Sequence, residues 1–257
     1  MLKSVFKRDR TAFIPFIMAG HPSIEETRQA IVALSSAGAD LIELGVPFSD
    51  PVADGPINQR AADVALQQGV HLGDILALVR SLRDRGCHTP IILFSYVNPI
   101  LAFGCDAFAT AAKTAGVNGV LLVDLPPEEG EAFYGKLQSA GLDVVLLVSP
   151  TTNPARFDVY HRVNPAFIYY ISRLAVTGVQ NDLAPQLAIE VEGLRAHFPM
   201  TPIAIGFGIS TVDQARTVAE FADGVVIGSV LVNALEQEGV ERLEIMASQF
   251  ADVVHDV

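Results

Sequence analysis

Short apolar runs recur along the chain, and similar short segments precede several of them. Ala37-Gly38-Ala39-Asp40, Ala115-Gly116-Val117-Asn118 and Ala140-Gly141-Leu142-Asp143 each stand directly before such a run. The glycine in each segment fits the position just past a helix end, where a left-handed residue stops the helix. A continuous apolar run is typical of a strand buried on both faces of a parallel sheet. Together the runs predict eight strands, at 12–18, 41–44, 90–96, 119–123, 144–148, 166–172, 202–206 and 225–227.

Helical patterns lie between the predicted strands. In 24–37, Ile31 and Leu34 stand three residues apart, and 212–221 is another such stretch. Eight alternating strand and helix units in about 250 residues predict the α/β class and a single (β/α)8 TIM barrel, with residues 1–257 forming one domain. A doubly wound open sheet is the alternative, and it is less favoured because no G-x-G-x-x-G motif follows the first strand.

Two connections are predicted to be long. They cover 46–59, after the second strand, and 174–185, after the sixth. Long loops in compact domains usually carry function. Both leave the C-terminal ends of strands, where barrel enzymes keep their chemistry, so we expect a site there.

Composition and charge argue against nucleic acid and membranes as partners. The chain has 257 residues, half of them hydrophobic, and its 17 Lys and Arg against 29 Asp and Glu leave a net charge of −12. Nucleic acid or an anionic membrane would require a dense basic patch, and the sequence contains none. Two cysteines without metal-ligand spacing are typical of a cytoplasmic protein. No apolar run approaches the roughly 20 residues that span a bilayer.

Glu43 is the strongest single indication of chemistry. It lies inside the apolar run Leu41-Ile42-Glu43-Leu44. Desolvation there raises a carboxyl pKa toward the working range of a general acid or base. The structural alternative is a carboxylate paired with a nearby arginine.

The loop after Glu43 carries two further carboxylates, Asp50 and Asp54, among three prolines. Because proline fixes φ, a side chain on this loop loses little entropy on being presented to a ligand. An Asp before Gly is more often a turn residue, so each gains weight only together with Glu43.

Glycines after the seventh and eighth strands indicate a phosphate site. They occur in Gly206-Phe207-Gly208-Ile209-Ser210 and in Gly228-Ser229. Glycine lets the backbone approach an anion, and a following helix N-terminus offers free N–H groups. Barrels commonly bind phosphate at these two strand ends.

The sequence lacks the residue patterns that Schiff-base chemistry and metal binding require. None of the four lysines falls at a predicted strand end, so Schiff-base chemistry has no nucleophile. The six histidines lack ligand spacing, so no metal site is expected. Asp124 and Tyr169, at or near strand ends, fit a pocket role and a structural role equally well.

Several motifs of the sequence resemble those of a known protein family. The segment 43–56, Glu-Leu-Gly-Val-Pro-Phe-Ser-Asp-Pro-Val-Ala-Asp-Gly-Pro, resembles the signature of the tryptophan synthase alpha subunit family. The resemblance continues at 124–129, 176–178 and 206–210, in order along nearly the whole chain. It implies cleavage of indole-3-glycerol phosphate to indole and glyceraldehyde 3-phosphate, a retro-aldol lyase reaction without a cofactor in this chain.

The resemblance also implies roles for single residues. Glu43 would be the acid and base at the indole C3 carbon and the glycerol hydroxyl, and Asp54 would stabilise positive charge on the indole nitrogen. Thr177 would contact the catalytic Asp when the strand-6 loop closes. The substrate-binding positions implied are Phe16, Tyr169 and Phe207 around the indole ring, and Gly178, Gly208, Gly228 and Ser229 at the phosphate.

The family implies a partner as well. This is the tryptophan synthase beta subunit, which carries pyridoxal phosphate and receives indole through a tunnel in an alpha2-beta2 heterotetramer. Asp50, Pro51 and Asn98 match positions that face that subunit.

Four residues, at three sites, depart from the family pattern. Ala175 replaces a usual Gly, Ile57-Asn58 a usual Thr-Ile, and His21 a frequent Asp. The resemblance therefore implies altered loop flexibility at Ala175 and weaker apolar packing at Asn58. Two other functions remain open: a sugar-phosphate isomerase or epimerase, and a non-catalytic barrel that activates a partner enzyme.

Overall fold

Eight parallel strands form a closed barrel. The computed structural model of the chain describes residues 2–7, 9–171, 183–206 and 208–257, except the side chains of 183 and 184. Each strand pairs with the next, and the eighth pairs with the first at Ala12 and Gly224. The predicted TIM barrel is confirmed, and the open-sheet alternative is wrong. The strands are β1 (Ala12–Met18), β2 (Ile42–Gly45), β3 (Ile91–Ser95), β4 (Gly119–Leu122), β5 (Asp143–Val148), β6 (Phe167–Ile171), β7 (Ile203–Gly206) and β8 (Gly224–Ile227).

Helices connect the strands around the outside. Gly38, Gly116 and Gly141 follow helices with φ of +100°, +90° and +85°, so the predicted left-handed glycines are confirmed. Short 3-10 helices lie at Leu2–Val5 and Pro154–Arg156. The α-helices are α1 (Ile24–Ser36), α2 (Pro56–Gln67), α3 (Leu72–Asp84), α4 (Val97–Phe103), α5 (Cys105–Ala115), α6 (Pro127–Ser139), α7 (Phe157–Val163), α8 (Leu183–His197), α9 (Val212–Ala219) and α10 (Ser229–His255).

Alternation along the strands separates two buried layers. On β1, Phe13 packs in the layer between strands and helices, whereas Ile14 belongs to the barrel interior. On β6, Tyr170 lies in the outer layer and Tyr169 in the interior. Side chains of a strand point alternately to opposite faces, so Glu43, two residues after interior Leu41, also points inward.

The two long connections are shorter than predicted where they are described. The loop after β2 covers 46–55, because α2 already begins at Pro56, where proline favours the first helical position. Of the second loop, 172–182 lies outside the described residues, and α8 begins at Leu183 rather than after 185.

The ends of the chain meet at β1. The last helix, α10, packs against both α1 and β1. Asp40 joins the two ends, because its carboxylate pairs with Arg10 and lies 2.7 Å from His255 Nε2. In the described part of the chain, no helix is both long and apolar enough to cross a membrane.

Candidate active site

A cavity of about 230 Å³ opens at the C-terminal ends of the strands. It brings together seven residues that the sequence analysis selected, from five separate parts of the chain. The loops after β7 and β8 contribute glycine backbone to the lining, and β2 with its loop contributes two carboxyls. The seven are Phe16, Glu43, Asp54, Tyr169, Gly208, Gly228 and Ser229.

Glu43 lies at the bottom of the cavity with only 2% of its surface exposed. Its position on β2 is in register with Phe16 on β1. Burial, and secondarily the charge of Asp54, raise the Glu43 pKa to about 8. Among the described residues, Oε1 has no hydrogen-bond partner. A carboxyl with this pKa holds its proton at neutral pH and exchanges it readily, as a general acid and base must.

Asp54 lies in a different environment. The Tyr96 hydroxyl donates a hydrogen bond of 2.7 Å to Asp54 Oδ2, and the Ala53 N–H donates to the same hydroxyl oxygen at 2.9 Å. Burial raises the Asp54 pKa, while hydrogen bonds from Tyr96 and Asn58 lower it. The two carboxyls of the cavity are therefore held differently, which suits them to different roles.

The loop that carries Asp54 is fixed from α2. Gln59 Nε2 donates to the Asp54 carbonyl oxygen at 2.9 Å and to that of Pro51 at 3.4 Å. These bonds hold the loop backbone and leave the Asp54 carboxylate to Tyr96 and Asn58.

Tyr169 closes the interior side of the site. Burial, followed by the charges of Glu43 and Asp54, raises its pKa well above the ordinary value, so the phenol stays protonated. Its ring lies against β7, where a Cβ on Gly206 would stand only 2.1 Å from the Tyr169 hydroxyl oxygen. The absence of a side chain at Gly206 therefore makes room for Tyr169.

Aromatic and aliphatic side chains form the walls. Phe16 and Phe94 meet edge to face, with ring centroids 5.4 Å apart, and Ile57 and Val226 line the same space. Apolar walls around a few polar groups are typical of a small-molecule site. Such walls accept a flat aromatic ring.

Glycine backbone from the loops after β7 and β8 also lines the cavity. Gly208 has a φ of +81°, a conformation that glycine adopts at no steric cost. Gly228 precedes α10 and makes no side-chain cap, so the first N–H groups of that helix are available to an anion. Among the described residues, a Cβ on Gly228 would lie no closer than 3.6 Å to its nearest neighbour. Packing against the described part of the chain therefore does not require glycine there.

The other six predicted residues fall into two groups: three lie outside the described residues and three are described away from the cavity. Thr177, Gly178 and Phe207 lie outside the described residues, as does Ala175. Asp50, Pro51 and Asn98 do not line the cavity. They lie beyond the C-terminal ends of β2 and β3, where Asp50 and Asn98 are exposed.

Tyr96 and Phe94 were missed by the sequence analysis. Both stood inside the predicted third strand, which read as an ordinary buried run. The available signal was position, since both come at the C-terminal end of that run, the end at which barrels place their sites.

The described residues contain no group of three His, Cys, Asp or Glu side chains arranged to hold a metal ion. What the cavity offers to a ligand is two carboxyls, aromatic walls and backbone N–H groups. It suits proton transfer on a molecule that has an aromatic ring at one end and an anionic group at the other.

Comparison with known proteins identifies the family of the chain. The family model described as tryptophan synthase alpha chain matches residues 2–255. A tryptophan synthase alpha chain from Methylibium petroleiphilum is 44% identical over 241 residues, covering 94% of this chain and 88% of that protein. One from Burkholderia pseudomallei is 46% identical over 233 residues, covering 91% of this chain and 86% of that protein.

Solved structures agree in fold. The alpha subunit from Legionella pneumophila superposes with a TM-score of 0.90 at 37% identity, covering 100% of this chain and 97% of that chain. A chain of tryptophan synthase from M. tuberculosis, in its aminoacrylate-bound form, superposes with a TM-score of 0.86 at 34% identity, covering 99% of each. The chain belongs to the tryptophan synthase alpha chain family.

Proposed function

We propose that this chain is the lyase that cleaves indole-3-glycerol phosphate to indole and D-glyceraldehyde 3-phosphate, the alpha reaction of tryptophan biosynthesis. The observation that carries the proposal is the buried Glu43 carboxyl, with a pKa raised to about 8, beside the separately held Asp54. The substrate has an indole ring at one end and a phosphate at the other, which matches the apolar walls and the glycine backbone of the cavity.

Glu43 is the acid and then the base. Its protonated carboxyl donates a proton to C3 of the indole ring, which leaves an iminium charge on the ring nitrogen. The carboxylate then takes the proton of the glycerol hydroxyl next to C3. As that oxygen becomes the aldehyde oxygen, the carbon–carbon bond breaks and its electrons restore the indole ring. One proton is given and one recovered, so no cofactor is consumed.

Asp54 stabilises the intermediate charge. An ionised carboxylate beside the indole nitrogen favours the iminium form over the neutral ring, and this interaction is stronger in a cavity shielded from bulk water. The Tyr96 hydrogen bond of 2.7 Å supports the ionised form of Asp54.

The remaining roles concern binding. Phe16 and Phe207 pack on the two faces of the indole ring, and Tyr169 keeps Glu43 against it. Gly178, Gly208, Gly228 and Ser229 bind the phosphate through backbone N–H groups and the Ser229 hydroxyl. Thr177 contacts Asp54 when the loop after β6 closes over the substrate, which excludes water.

The alpha chain works with a beta subunit. We assign an alpha2-beta2 assembly in the cytoplasm, with pyridoxal phosphate in the beta subunit and indole passing between the two sites. Asp50, Pro51 and Asn98 face the partner. Exposed apolar side chains beside them support this surface, since Val52 is 85% and Leu101 54% exposed.

The test is indole release from indole-3-glycerol phosphate by the purified chain, with and without a tryptophan synthase beta subunit. We expect release that rises with the beta subunit and falls at least about a hundredfold in Glu43→Gln, since general acid–base catalysis contributes about 10²–10⁴-fold. Glu192→Gln on exposed α8 is the control and should match wild type.

Two outcomes would replace the proposal. No indole in either condition would remove the lyase and leave a sugar-phosphate isomerase or epimerase to be tested. Stimulation of the beta subunit by an inactive wild-type chain would indicate a non-catalytic activator.

A further inference from the structure

Asn58 places an uncharged amide in the catalytic cavity. It lies in the first turn of α2, four residues after Asp54, and it lines the cavity together with Asp54, Glu43 and Tyr169. None of the roles assigned above uses it.

The two ends of this amide have different surroundings. The Asn58 amide acts on the Asp54 carboxylate as a hydrogen-bonding group that lowers the Asp54 pKa. Its Oδ1 atom is buried and, among the described residues, has no hydrogen-bond partner. An ionised carboxylate only accepts hydrogen bonds, and an amide donates only through its nitrogen. The N–H end of Asn58 therefore faces Asp54, and the carbonyl end is the free one.

We propose that Asn58 is a positioning residue for Asp54: its amide N–H donates to the Asp54 carboxylate and holds it ionised and aimed into the cavity. The inference rests on the proposed function, in which Asp54 has to be negatively charged to stabilise the indole nitrogen.

Donors reach Asp54 from two sides. Tyr96, which stands between β3 and α4, donates to Oδ2, and Asn58 approaches from α2. The other titratable groups that face Asp54 are Glu43 on β2 and Tyr169 on β6. An ionised Glu43 would oppose a charge on Asp54, so the two donors are the groups that favour that charge.

The free carbonyl oxygen argues against a purely structural role. A buried acceptor without a partner costs folding free energy, and the apolar walls around it would accept a leucine of the same shape. We therefore expect an amide at this position to lower stability slightly, and its effect on Asp54 to be the functional gain that offsets this cost.

The experiment is a titration of Asp54 in the purified full chain, without substrate. The aspartates carry 13C in the carboxyl carbon, and Asp54→Asn assigns the signal. We expect the Asp54 midpoint to lie at higher pH in Asn58→Leu than in wild type, because a donor to the charged form is gone. The same variant should retain or raise the melting temperature and lose about tenfold in kcat/KM for indole release at neutral pH. Asn58→Ala provides a second, smaller replacement if the leucine variant does not fold.

Gln59→Leu is the matched control. It removes the same amide group from the next residue of α2, where the side chain binds loop carbonyl oxygens and not the carboxylate. The proposal is overturned if the Asp54 midpoint is the same in wild type and in the Asn58 variants, or if Gln59→Leu moves it as far. Since the titration needs no turnover, failure of wild type to release indole would overturn the proposed function while leaving the Asn58 result independent.

Discussion

Replacing Glu43 by Gln tests whether the buried Glu43 carboxyl lowers the stability of the folded chain at neutral and alkaline pH. In the unfolded chain the carboxyl ionises at its ordinary pKa of 4.5, and in the folded chain at about 8. Between these values the folded state holds one more proton than the unfolded state. The free energy of unfolding therefore falls as pH rises through this window, and stability from this group is complete only below pH 4.5.

The magnitude follows from the two pKa values. Each pH unit within the window costs about 1.4 kcal/mol, so the loss reaches about 3 kcal/mol at pH 7 and about 5 kcal/mol above pH 9. Between pH 5.5 and pH 8.5 the two pKa values give a loss of about 3 kcal/mol. The amide introduced by Glu43→Gln does not titrate, so this variant should lack that loss.

The assay is urea unfolding of the full chain at about pH 5.5, 7 and 8.5. Wild type and Glu192→Gln should lose stability with rising pH more steeply than Glu43→Gln. The difference between the slopes of Glu192→Gln and Glu43→Gln measures the effect of removing the Glu43 carboxyl, including its influence on the neighbouring Asp54 and Tyr169. Parallel curves for wild type and Glu43→Gln would refute the reasoning, whatever the absolute stabilities.

Three further predictions concern neighbours of the two carboxyls. In Tyr96→Phe the donor to Asp54 is lost, so the Asp54 pKa should rise and kcat/KM for indole release should fall about tenfold. The acid limb of the pH–rate profile should move to higher pH, and an unmoved limb would contradict this. Gly206→Ala places a Cβ 2.1 Å from the Tyr169 hydroxyl oxygen. We expect a loss of about 1–3 kcal/mol in urea unfolding together with weaker indole release, and unchanged stability would count against this packing. In Gly228→Ala the new Cβ lies no closer than 3.6 Å to any atom of the described residues, so stability should change by less than about 1 kcal/mol. Binding of glyceraldehyde 3-phosphate by calorimetry should nevertheless weaken about tenfold, because the new methyl occupies the approach of the anion, and equal affinity in the two proteins would remove the phosphate role.

The barrel was predictable because its signal is repeated. Each unit brings a buried run and several bring a glycine past a helix end, and Gly38, Gly116 and Gly141 adopt the left-handed conformation that this position requires. Glu43 was predictable for the opposite reason, as a charge that breaks an apolar run. Both signals are local in the chain.

Tyr96 and Asn58 were harder to predict because their roles depend on contacts. The Tyr96 hydroxyl reaches Asp54 across 42 positions of sequence, and no periodicity encodes that approach. From the sequence alone, Asn58 was interpreted only as a residue that weakens apolar packing. Its link to Asp54 follows only once α2 begins at Pro56, which places Asn58 in the first turn of the helix, just after the loop that carries Asp54. The start of α2 at Pro56 was itself hard to predict, because the proline-rich segment was interpreted as one longer loop.

The closure of the barrel has a consequence for synthesis on the ribosome. β1 emerges early, yet its partner β8 and the helix that covers it, α10, are more than 200 residues further along the chain. A nascent chain that lacks them presents an open strand edge and an uncovered apolar face, the features that promote association with other chains. Asp40 likewise cannot form its side-chain contact with His255, the last residue of α10, until that residue has been synthesised. Both β8 and α10 must therefore be synthesised before β1 is sealed, and protection of the nascent chain matters most during that interval.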